Sequence, residues 1–170
     1  DVVVIGGGSA GYAAARTAQS SGAKVAIVDK GPLGGLCILR GCMPTKAILR
    51  SSDILALMHR AKEFGLFASN LSADLALIHD RKTRLVNEFA SYRIEQLQDP
   101  KFSLIEEHAS FLSPNDLSVG GGRVLSAKNF IIATGSTVAE FAVPGLSEAG
   151  FVTSDDVLEL REAPESIIVL

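Results

Sequence analysis

A chain of 170 residues with 47% hydrophobic residues, 21% charged residues and 16 glycines excludes a collagen-like, coiled-coil or disordered polypeptide and fits one soluble α/β domain. At this length roughly 70% of the unfolded surface is buried on folding, enough for a core without disulfide staples. Sixteen Lys and Arg against 19 Asp and Glu leave a net charge of −3, and no basic run tracks a phosphate backbone, so no nucleic-acid partner is expected.

Val2 to Ile5 is a continuous apolar run ending in glycine, the pattern of a parallel strand buried on both faces. Ser9 to Ser21 reads as a helix whose alanines allow close approach to a sheet, and Lys24 to Asp29 as a second strand, completing a βαβ unit. Residues 30 to 41 read as a glycine-rich loop, Pro44 to Ala61 as a helix, and Ser72 to Gln98 as an amphipathic helix capped by Ser72. Its apolar positions include Leu75, Leu77, Ile78, Leu85, Val86, Phe89, Ile94 and Leu97. From Phe102 the chain breaks into short segments at 102–105, 109–112, 117–119, 124–125 and 129–133, separated by turn residues. These predict an antiparallel β-meander inserted before a final buried strand. Residues 136–153 read as irregular, Ser154 to Leu160 as a short helix, and Ile167 to Leu170 as another buried strand.

No apolar run reaches the ~20 residues of a membrane helix, and no secretory leader pattern opens the chain, so no membrane partner and a cytoplasmic location are expected. The chain starts on Asp1 in place of an initiator Met, and trimming of the natural polypeptide is expected.

Gly6-Gly7-Gly8-Ser9-Ala10-Gly11 supplies G-x-G-x-x-G at Gly6, Gly8 and Gly11. Such a loop serves as a structural turn or as a dinucleotide cradle. The strand before it, the helix after it and Asp29 about 20 residues on favour the cradle, with the pyrophosphate on the helix N-terminus and the acid on a ribose. Cys37 and Cys42, with four residues between them, fit a metal half-site, two unrelated core thiols or a redox pair. A metal lacks further ligands, because His59, His79 and His108 are scattered and read as ordinary surface or satisfied residues. The redox reading gains from the flanking glycines and from a helix beginning near Pro44, whose N-terminus, with Lys46 one turn in, favours a thiolate.

The stretch Gly34-Gly35-Leu36-Cys37-Ile38-Leu39-Arg40-Gly41-Cys42-Met43-Pro44-Thr45-Lys46 resembles the redox-active motif of the pyridine nucleotide-disulfide oxidoreductases, the group of dihydrolipoamide dehydrogenase, glutathione reductase and mercuric reductase. The resemblance extends to Ala133-Thr134-Gly135, similar to the family's A-T-G flavin-domain motif, and to Thr153-Ser154-Asp155-Asp156, similar to its later linker. Leu36 stands where the family usually has threonine, and Asp29 where glutamate is commoner.

The resemblance implies a Rossmann-like FAD-binding domain over residues 1–165, with 166–170 as the first strand of a further NAD(P)-binding domain. It implies FAD contacts at Gly6, Gly8, Ser9, Ala10, Gly11, Asp29, Lys30, Gly35, Leu36, Cys37, Gly41, Cys42, Lys46, Ala109, Ala133, Thr134 and Gly135, and no metal. NAD(P)H would supply electrons through the flavin to a Cys37–Cys42 disulfide and on to a small disulfide or dithiol substrate. Cys42 would face the flavin, Cys37 the substrate, and Lys46 the flavin ring. A homodimer is implied for the full-length protein, with turnover by this segment alone not expected. Alternatives are a mercuric- or glutathione-reductase-like enzyme, a flavin module without thiol turnover, and an apo structural fragment.

Overall fold

In chain order the elements are β1 (Val2–Ile5), α1 (Ser9–Ser20), β2 (Val25–Val28), α2 (Leu36–Leu39) and α3 (Cys42–His59), then a single 3-10 turn at Ala61–Phe64. Next come α4 (Leu75–Leu97), β3 (Phe102–Ile105), β4 (Ala109–Ser113), β5 (Asp116–Val119), β6 (Arg123–Ser126), β7 (Asn129–Ile132), α5 (Leu146–Ala149) and α6 (Ser154–Val157). The computed structural model describes residues 1–139 and 142–170. They divide into two compact units, Asp1–Leu39 with Glu88–Thr137, and Arg40–Asn87 with Val138–Leu170.

The first unit holds a four-stranded sheet in the order β3-β2-β1-β7, every pair parallel, and a separate antiparallel sheet in the order β4-β5-β6. This is the mixed α/β architecture expected from the sequence. Successive side chains of a strand point to opposite faces, and β1 obeys this rule. Val4 joins Val25, Ile27, Ala15 of α1 and Leu97 of α4 in one core cluster. Val3 joins Val28, Leu117 and Val119 in another, which brings β5 against the opposite face. Both faces are covered, as a parallel sheet requires.

Register places the functional end of the sheet. Ile5 aligns with Val28 and with Ile132, so the residues that follow β1, β2 and β7 emerge side by side. Gly6 N–H donates to the Val28 carbonyl at 2.7 Å and Ala133 N–H to the Ile5 carbonyl at 2.8 Å. The chain leaves β1 toward β2, while β7 lies on the other side of β1. The boundary between β1 and β7 is therefore a topological switch point, where α/β sheets open a crevice.

The sequence expectations differ from the structure at several places. Phe102–Ile105 does not belong to the meander: it extends the parallel sheet, aligned with Val25–Val28. A strand of four residues carries too little periodicity to reveal its partner. The expected loop 30–41 contains α2, and α3 begins at Cys42, ahead of Pro44, because proline is tolerated in a helix's first turn. Helix α4 starts at Leu75, capped by Asp74, whose Oδ1 accepts the Leu77 N–H at 3.0 Å; Ser72 lies outside it. Its amphipathic reading also shifts, since Leu77 and Phe89 are exposed while Lys82 is 3% exposed. Within the segment read as irregular, Leu146–Ala149 is helical, and residues 140 and 141 lie outside the described residues. The short helix read over 154–160 is α6, ending at Val157. Ile167–Leu170 are exposed and form no strand, there being no strand among the described residues of the second unit to pair with.

Candidate functional site

The glycine loop sits at the carboxyl end of β1. Gly11, in the first turn of α1, is buried, and a Cβ there would overlap the Gly6 carbonyl, so the helix can lie this close to the strand only with glycine at 11. Gly8 caps α1 in extended conformation and no side chain caps the helix, so its first backbone N–H groups and the positive end of its dipole are available to an anion. Gly35 has φ +77°, and a Cβ on it would strike the Gly8 backbone, so the segment leading to the first cysteine passes directly against the glycine loop. From the far side of β1, a Cβ on Gly6 would strike the Ala133 carbonyl.

Asp29 follows β2. Its Oδ2 accepts the Gly7 N–H at 2.6 Å and its Oδ1 the Gly31 N–H at 2.8 Å. A carboxylate offers about four lone-pair sites, so about two remain for further donors such as ribose hydroxyls. The uncapped helix end, the glycines that leave no side chain between loop and ligand, and a half-buried acceptor beside them fit a dinucleotide. Gly7 was not among the residues the fingerprint singles out; its N–H is nonetheless the one that couples loop to acid.

The other expected positions in this unit are placed as follows. Ser9 and Ala10 are exposed in the first turn of α1, Lys30 is exposed after Asp29, and Leu36 opens α2 at 36% exposure. Cys37 is half-buried on α2. Ala133 is half-buried and Thr134 and Gly135 are exposed after β7. Ala109 starts β4 and packs against the Val3–Val28 cluster, so its side chain serves the core.

Gly41, Cys42 and Lys46 belong to the second unit. Gly41 is the N-cap of α3 and no side chain caps that helix. Cys42 is exposed as its first residue, and Lys46, also exposed, lies four positions on and shares its face. Pro44 and Ala47 are the buried residues that seat this turn, and Thr45 Oγ1 donates to the Gly41 carbonyl at 2.7 Å.

Sequence reasoning missed the polar contacts of this unit. Arg40 Nη1 pairs with Asp155 Oδ2 at 3.2 Å. Asp155 stands in the first turn of α6, where Thr153 and Asp156 form a reciprocal capping box, legible in retrospect as an acid three positions after a threonine. Hydrogen bonds from the Thr153 side chain and backbone hold the Asp156 carboxyl below its ordinary range. Lys82 Nζ and His79 Nε2 both meet Glu159, at 2.8 Å and 2.9 Å, and Arg161 Nη1 meets Asp80 Oδ1 at 2.7 Å and His79 Nδ1 at 2.9 Å. Partial burial opposes ionisation of Glu159, but the bonds from Lys82 and His79 outweigh it and lower its pKa. Asp80 is lowered by its Arg161 hydrogen bond. Among the described residues no group of three or more His, Cys, Asp or Glu could hold a metal ion, and no helix is long and apolar enough to cross a membrane.

A parallel sheet with a glycine loop and an uncapped helix N-terminus at its switch point, and a half-buried acid after the neighbouring strand, has the architecture of a dinucleotide-binding α/β protein. The family model for pyridine nucleotide-disulphide oxidoreductases matches residues 1–170, and the chain belongs to that family of FAD- and NAD(P)H-dependent oxidoreductases. Over 171 residues it is 37% identical to a mercuric reductase of Staphylococcus aureus, and over 177 residues 40% identical to a dihydrolipoyl dehydrogenase of Chlorobaculum parvum. Each alignment covers 100% of this chain but only 31% and 37% of those relatives, so the chain spans about a third of their length. Among solved structures it resembles the HOCl-induced flavoprotein disulfide reductase RclA of Escherichia coli, with a TM-score of 0.72, 27% identity, and coverage of 95% of this chain and 34% of that one.

Proposed function

We propose that this chain is the flavin-binding part of an NAD(P)H-dependent, dihydrolipoamide-dehydrogenase-like disulfide oxidoreductase, in which Cys37 and Cys42 are the working thiols. The observation that carries the reading is the packing of Gly35 on Gly8, which runs the cysteine segment directly past the dinucleotide cradle. In this reading residues 1–165 form the FAD-binding domain and residues 166–170 begin an NAD(P)-binding domain, the full-length protein being a cytoplasmic homodimer.

The α1 N-terminus holds the pyrophosphate of FAD, Asp29 the adenosine ribose, and the residues around 133–135 close the other side of the cradle. When bound, FAD supplies a two-electron path between a nicotinamide and the thiol pair. Exchange with substrate then needs only this chain's sulfurs. The Cys37 thiolate attacks one sulfur of a substrate disulfide, forming a mixed disulfide and releasing one substrate thiol. Cys42 attacks Cys37 in turn, releasing the second thiol and leaving a Cys37–Cys42 disulfide. Lys46, on the Cys42 face of α3, contributes positive charge where electrons accumulate.

The identity to a mercuric reductase favours a second reading of the substrate, in which the two soft thiolates receive mercuric ion in place of a disulfide. Anaerobic dithionite titration of the flavin-loaded protein tests the thiol assignment. The parent should develop a long-wavelength thiolate–flavin band after two electrons, and Cys42→Ser should keep its yellow colour and lack that band. An unchanged band in the variant overturns the assignment.

A further inference from the structure

We propose that Arg93 is the cation of the dinucleotide cradle, a positioning residue whose partly buried charge favours the pyrophosphate on the α1 N-terminus; the proposal rests on the flavin-binding reading above. Arg93 lies on α4, and its guanidinium carbon stands 4.4 Å from the centroid of the Tyr12 ring. Tyr12 belongs to the first turn of α1, where its N–H donates to the Gly8 carbonyl at 2.9 Å. Helical side chains lean toward the helix N-terminus, so this ring lies over the turn that the glycine loop opens. It is held there by an edge contact with Phe102 of β3, the centroids 6.3 Å apart. One turn along α4, Leu97 brings its methyls to 3.2 Å and 3.4 Å from the place of a Cβ on Gly7. Residues four apart share a helix face, so the face of α4 that carries Arg93 is the one that meets the glycine loop.

The Nε and Nη1 atoms of Arg93 are buried with no hydrogen-bond partner among the described residues, and Arg93 forms no ion pair with those residues. A guanidinium keeps its charge at every working pH, and burying unpaired donors costs stability. Gln96 Oε1, on the next turn of the same helix, is likewise buried without a partner, but a neutral amide cannot cancel a charge. Stacking on Tyr12 offsets only part of the cost. The cradle has the opposite imbalance. Asp29 holds a carboxylate 2.6 Å from the Gly7 N–H, at the loop where further negative charge is to bind. Lys30 and Arg16 are exposed, and salt screens exposed charges most. Arg93 is the cation whose burial preserves its pull.

The first turn of α1 and the width of the stacked ring put the guanidinium roughly 12 Å from the helix N-terminus. At that separation and an effective dielectric of about 20–40, attraction to one phosphate charge is worth about threefold to tenfold in affinity.

The experiment strips flavin from the protein and measures rebinding of FAD by its fluorescence, with ADP as a competitor that carries the same adenosine diphosphate half. Arg93→Met, which removes the charge and keeps an unbranched stem, should weaken both FAD and ADP about threefold to tenfold. Arg93→Lys, which keeps the charge, should stay within about twofold of the parent for both. Flavin-free Arg93→Met should melt at or above the parent's temperature, because it no longer buries unpaired donors, whereas a merely structural role would lower melting temperature and affinity together. Parent-like affinities in Arg93→Met, a loss for FAD without one for ADP, or equal losses in the Lys and Met variants overturn the proposal. A parent protein that rebinds neither FAD nor ADP overturns the flavin-binding reading itself and this proposal with it, a result visible before any variant is made.

Discussion

Asp29 accepts the Gly7 N–H on one carboxylate oxygen at 2.6 Å and the Gly31 N–H on the other at 2.8 Å. One side chain thus ties together the loops that leave β1 and β2. The short side chain of aspartate holds its carboxylate within direct reach of the glycine loop. A ribose at this site would share the acid with the two backbone donors it already has.

Asp29→Ala should therefore cost stability as well as flavin. Orphaning a buried N–H costs about 1–3 kcal/mol, and the lower end applies because the site is only partly buried. Urea unfolding of the variant should show a lower midpoint with an unchanged slope, and flavin retained after dialysis should fall. Asn at 29, which keeps one acceptor oxygen, should lie between the two proteins in both measurements.

Gly11→Val tests the contact between α1 and β1. A side chain at 11 must displace the Gly6 carbonyl, and overpacking of this kind typically costs 1–3 kcal/mol. In the function proposed above, the displaced turn is the one that would present the α1 N-terminus to the pyrophosphate. The variant should melt earlier and emerge colourless from a purification that yields yellow parent protein; parent-like flavin content would contradict the role given to this turn.

The βαβ unit and the glycine cradle were legible because each residue there answers to a local rule: an apolar run for β1, a positive φ or close approach for glycine, an acid at the end of β2. A helix beginning near Pro44 was legible, but its start at Cys42 was not, because proline is tolerated at more than one position of a first turn. Phe102–Ile105 was misplaced because the partner of a four-residue strand is set by packing that no local pattern encodes. Lys82 escaped for the same reason. A lysine on an amphipathic helix reads as solvated, and the Glu159 carboxylate that compensates its buried charge lies 77 positions away. Arg40–Asp155 is likewise a long-range contact, and nothing at either position alone announces it.

Leu97 is fully buried, packed with Val4, Ala15, Val25 and Ile27, and its methyls are the nearest side-chain carbons to the space beside Gly7. Leu97→Ala should cost about 2–5 kcal/mol from lost burial and the cavity left behind. Because that cavity opens under the glycine loop, flavin should also dissociate faster. Leu97→Met, which nearly conserves volume, should cost under about 1.5 kcal/mol and leave flavin release close to the parent's.

The Lys82–Glu159–His79 contacts predict a dependence on acidity. Glu159 has its pKa lowered, burial being outweighed by hydrogen bonds from Lys82 and His79. A carboxyl whose folded pKa lies below its unfolded value contributes stability that is fully present above the unfolded value, about 4.3, and is lost as pH falls through the folded one. The parent should therefore lose stability below about pH 4.3 more steeply than Glu159→Gln, which has no carboxylate to protonate at that position. At neutral pH the Gln variant should be the less stable of the two, because Lys82, 3% exposed, then lacks its anion. The deficit should stay under the ~3–5 kcal/mol of breaking a fully buried pair, since the Glu159 side chain is 65% exposed. Urea midpoints of the two proteins between about pH 3 and pH 7 measure both effects, and parallel curves would show that Glu159 does not carry the acid dependence.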